Sequence, residues 1–192
     1  MRLTSDDFRC DAIECARKLI GCELRFRDGS GTILETEAYR EEGDRACHLF
    51  TRPSARAFAE TSPPGTAYVY LNYGVHWLLN VLCCDEKTGE KGFVLFRALA
   101  PLEAQDDMKR RRNTDRIHQL CSGPGKLTQA LGVTGAQHGL DFTSDQELSL
   151  HSRETEPAIL ADRRVGISRD VHHPWRFLVA EHPGVSVRFG KA

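Results

Sequence analysis

GTILETEAYREEGDRACH, Gly31 to His48, is the stretch on which the reading of the chain turns. It opens as a strand in which Ile33, Leu34, Ala38 and Tyr39 are interrupted by Glu35, Thr36 and Glu37. Side chains alternate between the two faces of a strand, so Ile33, Glu35, Glu37 and Tyr39 are expected on one face. That face carries two carboxylates beside an apolar residue and an aromatic ring. A solvated edge strand would carry the same letters. A second aromatic strand, Tyr68-Val69-Tyr70, and Arg97 within the apolar run FVLFRAL point instead to a pocket that stacks a flat ligand and activates a water. An arginine in such a run needs a partner, because an unpaired buried charge is very costly. Glu37 and Glu35 are both candidates.

Working outward, Glu23 to Arg27 reads as a short strand, and Asp28-Gly29 as the hairpin turn that returns the chain into Ile33 to Tyr39. Before it, Ser5 is placed to cap a helix from about Asp6 to Ile20, with Phe8, Ala12, Cys15, Ala16 and Leu19 at helical spacing. After His48, the Pro-, Ser- and Thr-rich Thr51 to Pro64 reads as a loop carrying Arg52 and Arg56. Two strands follow, Tyr68 to Leu71 and Val75 to Leu82, joined by Asn72-Tyr73-Gly74. Tyr73 is then a large ring at a hairpin tip, either packed back onto its own strands or free to act as a wedge in a nucleic-acid stack.

The C-terminal half begins with the strand Phe93 to Leu99 and a helix from Pro101 to Arg116 that contains the charge run Lys109 to Arg112. Ser122-Gly-Pro-Gly-Lys126 leads into a short helix, Leu127 to Leu131. It is no Walker A loop, since Leu127 stands where Ser or Thr is needed, but a glycine-rich helix entry with Lys126 is able to hold one backbone phosphate. Gly132 to Arg153 is rich in turns. The pattern of the tail predicts two strands, Arg164 to Ile167 and Trp175 to Val179, then a short Val185-Ser186-Val187 segment.

The 192 residues fit one domain. Twenty-six Lys and Arg against 27 Asp and Glu give a net charge of -1, so any nucleic acid would have to be met by a local patch. Seven cysteines without a C-x-x-C, and no apolar leader in Met1 to Cys10, favour free thiols in a reducing cytoplasm over a disulfide framework. The eight histidines lack metal-ligand spacing, and the side chains of adjacent His172 and His173 are expected to diverge. No apolar run is long enough to span a bilayer.

Taken together, ETEAY (35 to 39), D-x-A-x-H (44 to 48), PGTAYVYLNYG (64 to 74), Asn80, FRALAPLE (96 to 103), SGPGKLTQALG (122 to 132), RVGI (164 to 167) and PWRF (174 to 177) resemble the alkyladenine family of 3-methyladenine DNA glycosylases. The order and spacing agree from about residue 15 to Ser186. The resemblance implies a single α+β domain with a curved antiparallel sheet, flanking helices and a protruding DNA-inserting hairpin. It implies a monomer that excises 3-methyladenine, 7-methylguanine, hypoxanthine or ethenoadenine from duplex DNA, without metal or organic cofactor and without strand cleavage. The water-activating glutamate of the family falls on Glu37 rather than Glu35, and the arginine that helps hold that water on Arg97. The base-binding positions fall on Tyr39, Ala46, His48, Tyr70 and Asn80, and the wedge on Tyr73. Arg56 and Lys126 are the candidates for the DNA backbone. Where the family has G-R-T-x-R-N-x-x-M-F, this chain departs, with Ala57 for the asparagine and Glu60-Thr61 for Met-Phe, so the packing of that segment is open. Two rival readings are a non-catalytic binder of damaged DNA and a hydrolase of free nucleosides. Intact Glu37 and Arg97 speak against the first, and a surface wedge against the second.

Overall fold

The computed structural model describes residues 1–192, and its centre is a single long strand. The strand β2 (Gly29–Arg40) pairs with three neighbours, all antiparallel: β1 (Glu23–Phe26) along its first residues, β8 (Arg176–Val179) at Glu35 to Glu37, and β5 (Lys91–Pro101) along most of its length. With β3 (Ala67–Asn72), β4 (His76–Cys84), β6 (Leu148–His151) and β7 (Ile159–Asp162) they form one eight-stranded sheet. The main path runs β3-β4-β5-β2-β1-β6, with β8 and β7 branching from β2. The expected α+β class is therefore found, with helices packed on an antiparallel sheet. No helix is long and apolar enough to cross a membrane.

Alternation sorts the strands onto two cores. Ala67, Val69, Leu79, Val81, Val94 and Phe96 point toward the main core, which α1 (Ala12–Leu19) and α6 (Pro124–Leu131) close from one side. Tyr68, Leu82 and Phe93, one residue out of step, point to a smaller cluster on the opposite face. That cluster is covered by α2 (His48–Thr51) and α3 (Pro53–Thr61), through Leu49, Ala55 and Ala59.

The two longest strands break their own pattern. Between Ile33↔Leu99 and Thr36↔Phe96 the ladder is irregular, with Glu35 opposite Ala98. Ile33, Leu99 and Phe96 all lie in the main core, and Thr36 donates its hydroxyl to the Ala16 carbonyl of α1 at 2.8 Å. Each strand thus uses three residues where strict alternation needs two or four, which is a bulge in both. The expected grouping is corrected accordingly: Ile33 faces the main core, while Glu35, Glu37 and Tyr39 face the other way with Arg97.

Several local expectations are also corrected. The first helix is not continuous from Asp6: Ser5–Phe8 is a single 3-10 turn, and α1 begins only at Ala12, capped by the Asp11 carboxylate on the amides of Ile13 and Glu14. The hairpin turn lies one residue early, since Phe26 pairs with Gly29 and the loop is Arg27-Asp28, with Arg27 at φ 53°. Thr51 to Pro64 is largely helix: Pro53 occupies the first turn, where its missing N–H costs nothing, and Ala55 and Ala59 make an i, i+4 stripe that outweighs the loop-like composition. The helix expected over Pro101 to Arg116 is α4 (Gln105–Arg112), bounded by left-handed Ala104 and Asn113. Arg164 to Ile167 is not a strand, whereas β6 is a strand within the stretch read as rich in turns, and β7 lies in a segment given no element from the sequence. The His172 and His173 rings do not diverge: they lie 4.2 Å apart in a turn rather than on a regular element. All seven cysteines are free, and six are buried.

Candidate active site

The bulge is where the charges collect. Arg97, Glu35, Glu37 and Arg176 are all buried among otherwise apolar strands. Arg97 donates its Nε to Glu35 Oε1 (2.9 Å) and its Nη2 to Ser186 Oγ (3.1 Å), and its Nη1 faces Glu37 Oε1 at 3.2 Å. Burial alone would weaken its charge. The carboxylates of Glu37 and Glu35 outweigh that and raise its pKa above the ordinary arginine value.

The two glutamates are treated differently. Glu35 Oε1 accepts from Arg97, from Arg176 Nη1 (3.0 Å) and from Ser186 Oγ (2.8 Å), and Oε2 accepts the Ser186 amide (2.6 Å). All four of these donors come from the protein, three on Oε1 and one on Oε2. Glu37 Oε1 accepts the Val165 amide (2.7 Å) and faces Arg97, while Oε2 accepts only the Tyr39 hydroxyl (2.7 Å). An ionised carboxylate offers about four acceptor positions. Glu35 thus receives four donors, three of them on Oε1, and Glu37 receives three, so Glu37 is the less saturated of the two and its Oε2 keeps one position for a water.

Beside Glu37 opens a cavity of about 410 Å³. Tyr39 from β2, His48 at the start of α2 and Tyr70 from β3 supply its rings; Ala46, Asn80 and Arg97 line it as well. Val165 to Ile167 close another side, and the exposed Tyr73 stands at the rim. The site residues expected from the sequence are thus brought together, with three qualifications of place. Glu37 does not reach the cavity surface but lies fully buried behind Tyr39 and Arg97. Arg56 is exposed on α3, and Lys126 exposed on the first turn of α6; neither lines the cavity, though Pro124, two residues before Lys126, does.

The rings are held apart from one another by edge contacts. His48 and Tyr70 meet edge to face with centroids 4.4 Å apart, and His48 Nδ1 bonds the Tyr68 hydroxyl at 3.0 Å. Tyr68 in turn stacks on Phe93 at 4.3 Å, on the small core beneath α3. Burial, with the Arg52 cation nearby, pushes the His48 pKa down to about 4, so the ring is neutral near pH 7. Burial and the adjacent Glu37 carboxylate raise the Tyr39 pKa well above the phenolic range, so its hydroxyl remains a donor. Asn80 donates Nδ2 to the Tyr68 carbonyl (3.0 Å), which fixes which end of its amide that bond uses.

This arrangement has counterparts. The sequence pattern of the methylpurine-DNA glycosylase family matches residues 6–183. The chain belongs to that family. Among curated methylpurine-DNA glycosylase relatives, a protein of Rhodopseudomonas palustris (strain ATCC BAA-98 / CGA009) is 44% identical over 164 residues, 85% of this chain and 78% of the relative. One from Agrobacterium fabrum is 43% identical over 182 residues, 95% and 91% of the two chains. One from Rhizobium meliloti is 41% identical over 191 residues, 98% and 99%. All three carry the name "Putative 3-methyladenine DNA glycosylase".

Several residues around the cavity have no role assigned from the sequence. Asp44 and Arg164 form a fully buried pair, Oδ2 to Nη1 at 2.6 Å and Oδ1 to Nη2 at 2.9 Å. Asp44 also accepts the amides of Arg40 and Ala46, and Arg164 lies over the Tyr39 ring at 4.7 Å and the Trp175 ring at 5.0 Å. The pair therefore backs one wall of the cavity. Both residues sat inside quoted motifs, D-x-A-x-H and RVGI; an aspartate and an arginine with no chemistry assigned were the available signal. Arg176 likewise sat inside the quoted PWRF with no chemistry assigned, whereas Ser186 carried no such signal, because its partner Glu35 is reached only through tertiary contacts.

Proposed function

We propose that the protein is a monofunctional DNA glycosylase that rotates damaged purines out of duplex DNA and hydrolyses the N-glycosidic bond with a Glu37-activated water. The observation that carries this reading is the buried Glu37 carboxylate, one acceptor position free, directly behind a cavity walled by Tyr39, His48 and Tyr70. A base inside a duplex is unreachable, so it must be flipped, at roughly a few kcal/mol that damage lowers. Stacking on the three rings offsets part of that, at about 1–3 kcal/mol per base. A purine carrying positive charge gains more against electron-rich faces and is a good leaving group. Tyr73 at the rim is positioned to fill the vacated stack, a role with no counterpart in a hydrolase of free nucleosides.

In the chemical step, water oxygen bonds to C1′ of the sugar as the C1′–N bond breaks and the base departs with the electron pair. Glu37 takes the proton that the water loses, and its negative charge stabilises the positive charge growing on the sugar. Arg97 holds its positive charge 3.2 Å from Glu37 Oε1. For water to reach Oε2 the Tyr39 hydroxyl has to yield part of its place, so base stacking on Tyr39 and water access to Glu37 are adjacent events. The substrate class that follows is alkylated and deaminated purines, 3-methyladenine, 7-methylguanine, hypoxanthine and ethenoadenine among them, and the protein acts as a monomer on chromosomal DNA in the cytoplasm.

The test is Glu37→Gln, assayed on duplexes carrying each of these lesions, with base release and duplex binding measured separately. Base release is expected to fall by about 10²–10⁴, the usual span for a lost general base, with binding retained. Wild-type release in Glu37→Gln would remove Glu37 from the mechanism.

A further inference from the structure

Arg97 meets Glu37 through a nitrogen that is not itself anchored. Its Nε is bonded to Glu35 and its Nη2 to Ser186 Oγ; only with both held does Nη1 stay against Glu37 Oε1. Glu35 cannot set this orientation alone, because a single bond at Nε leaves the planar guanidinium free to tilt. Ser186 supplies the second bond, and does so from a distant part of the chain. It lies in the segment Gly184 to Val187, which crosses the bulge with Gly184 packed against Leu34. The segment is tied on both sides of Ser186: Ser122 Oγ donates to the Val185 carbonyl (3.0 Å), and Arg176 Nη1 donates to the Val187 carbonyl (2.8 Å). The Ser186 hydroxyl is both acceptor and donor, taking Arg97 Nη2–H and giving its own hydrogen to Glu35 Oε1. Alanine keeps the backbone bond to Glu35 but can do neither.

We infer that Ser186 is a positioning residue for the hydrolytic step: its hydroxyl orients the Arg97 guanidinium so that Nη1 is presented to Glu37. The inference rests on the proposed role of Glu37. It concerns the chemical step rather than lesion binding, because Ser186 is not among the cavity-lining residues and touches only the buried side of Arg97.

The test is a double-mutant cycle on the full chain, with Ser186→Ala, Ser186→Thr, Arg97→Lys, Ser186→Ala/Arg97→Lys and Glu37→Gln. Single-turnover base release is measured on a hypoxanthine duplex and normalised to binding-competent enzyme by titration with lesion DNA. Ser186→Ala is expected to slow release about tenfold, the scale of one hydrogen bond to a charged group, with duplex affinity changed less than about twofold. Ser186→Thr, which keeps the hydroxyl, is expected to recover most of the rate. In the Arg97→Lys background, which lacks the fork that Ser186 holds, Ser186→Ala is expected to cost less than about twofold. An equal loss in both Arg97 backgrounds, or a lower melting temperature with an unchanged normalised rate, would make Ser186 merely structural and overturn the inference. A fully active Glu37→Gln in the same series would instead overturn the underlying mechanism. An inactive Glu37→Gln beside a wild-type Ser186→Ala overturns the inference alone.

Discussion

Replacing Asp44 with asparagine tests whether the cavity wall is built on a buried ion pair. Each Asp44 oxygen receives two donors: Oδ2 from the Arg40 amide and Arg164 Nη1, and Oδ1 from the Ala46 amide and Arg164 Nη2. Whichever way an asparagine is turned, its NH2 group points at two donors and loses both bonds. It also leaves Arg164 charged and buried over Tyr39 and Trp175. Removing one member of a buried pair generally costs about 3–5 kcal/mol. At roughly 2–4 °C per kcal/mol for a chain of this size, the melting temperature should fall by about 6–20 °C. Urea unfolding followed by circular dichroism gives the free energy, and thermal melting checks it. The second arm is Arg164→Met with Asp44→Asn, which removes the stranded charge and should recover part of the loss. Base release per folded molecule should fall in Asp44→Asn, because the Tyr39 wall and the Ala46 segment both lose their tether. A stability change under about 1 kcal/mol, or a double variant no better than the single, would refute the view that this pair holds the wall.

Tyr73→Ala should reduce duplex activity by about 1–3 kcal/mol in the flipping equilibrium, most for lesions that still pair well, and leave single-strand activity nearly unchanged; equal losses on both substrates would mean that Tyr73 only supports the hairpin. Stability should also respond to pH through His48, whose folded value of about 4 lies below its ordinary 6.5. The unfolded chain then binds more protons between these values, so the contribution is fully present above about pH 6.5 and is lost as pH falls toward 4. Urea midpoints at pH 7 and pH 5 should differ, and His48→Gln should narrow the difference; an unchanged difference would place the effect elsewhere. Exhaustive chelation should leave base release intact, since the proposed water is activated by a carboxylate, and activity lost to EDTA and restored by one metal would demand another mechanism.

What the sequence made legible follows the range of each interaction. Tyr39, Tyr68 and Tyr70 were readable as pocket rings because alternation along a strand is local, and Tyr73 as a tip residue because turn chemistry is local too. The choice between Glu35 and Glu37 was not readable from alternation, which puts both on one face; the difference lies in Ser186 and Arg176, 151 and 141 residues away along the chain. Ile33 was placed on the wrong face because no residue type announces the double bulge. Pro53 to Thr61 misled through composition: Pro, Ser and Thr suggest a loop, while the two alanines that make it a helix matter only once Leu49 and Tyr68 are packed beneath them. The charge run Lys109 to Arg112 reads as a solvated face, yet Arg111 donates to the Ala130 carbonyl and Arg112 to the Leu120 carbonyl, closing the ends of neighbouring helices.

The double bulge has a consequence for how the site can be changed. On either side of it β2 and β5 run as two regular ladders with the same overall register, but out of phase by one residue in which face each side chain occupies. The irregularities compensate: the strands leave the defect aligned, so the sheet beyond it is undisturbed. Only at this phase boundary do Glu35 and Arg97 reach the same side while Ile33 and Leu99 remain in the core. A chimera that exchanged β2 alone for a strand without the extra residue would put its two halves in conflict with β5: Glu37 and Tyr39 would turn toward α1, and Ala38 would leave the core. The two strands are therefore one heritable unit, and the site can be transplanted or redesigned only if both are moved together.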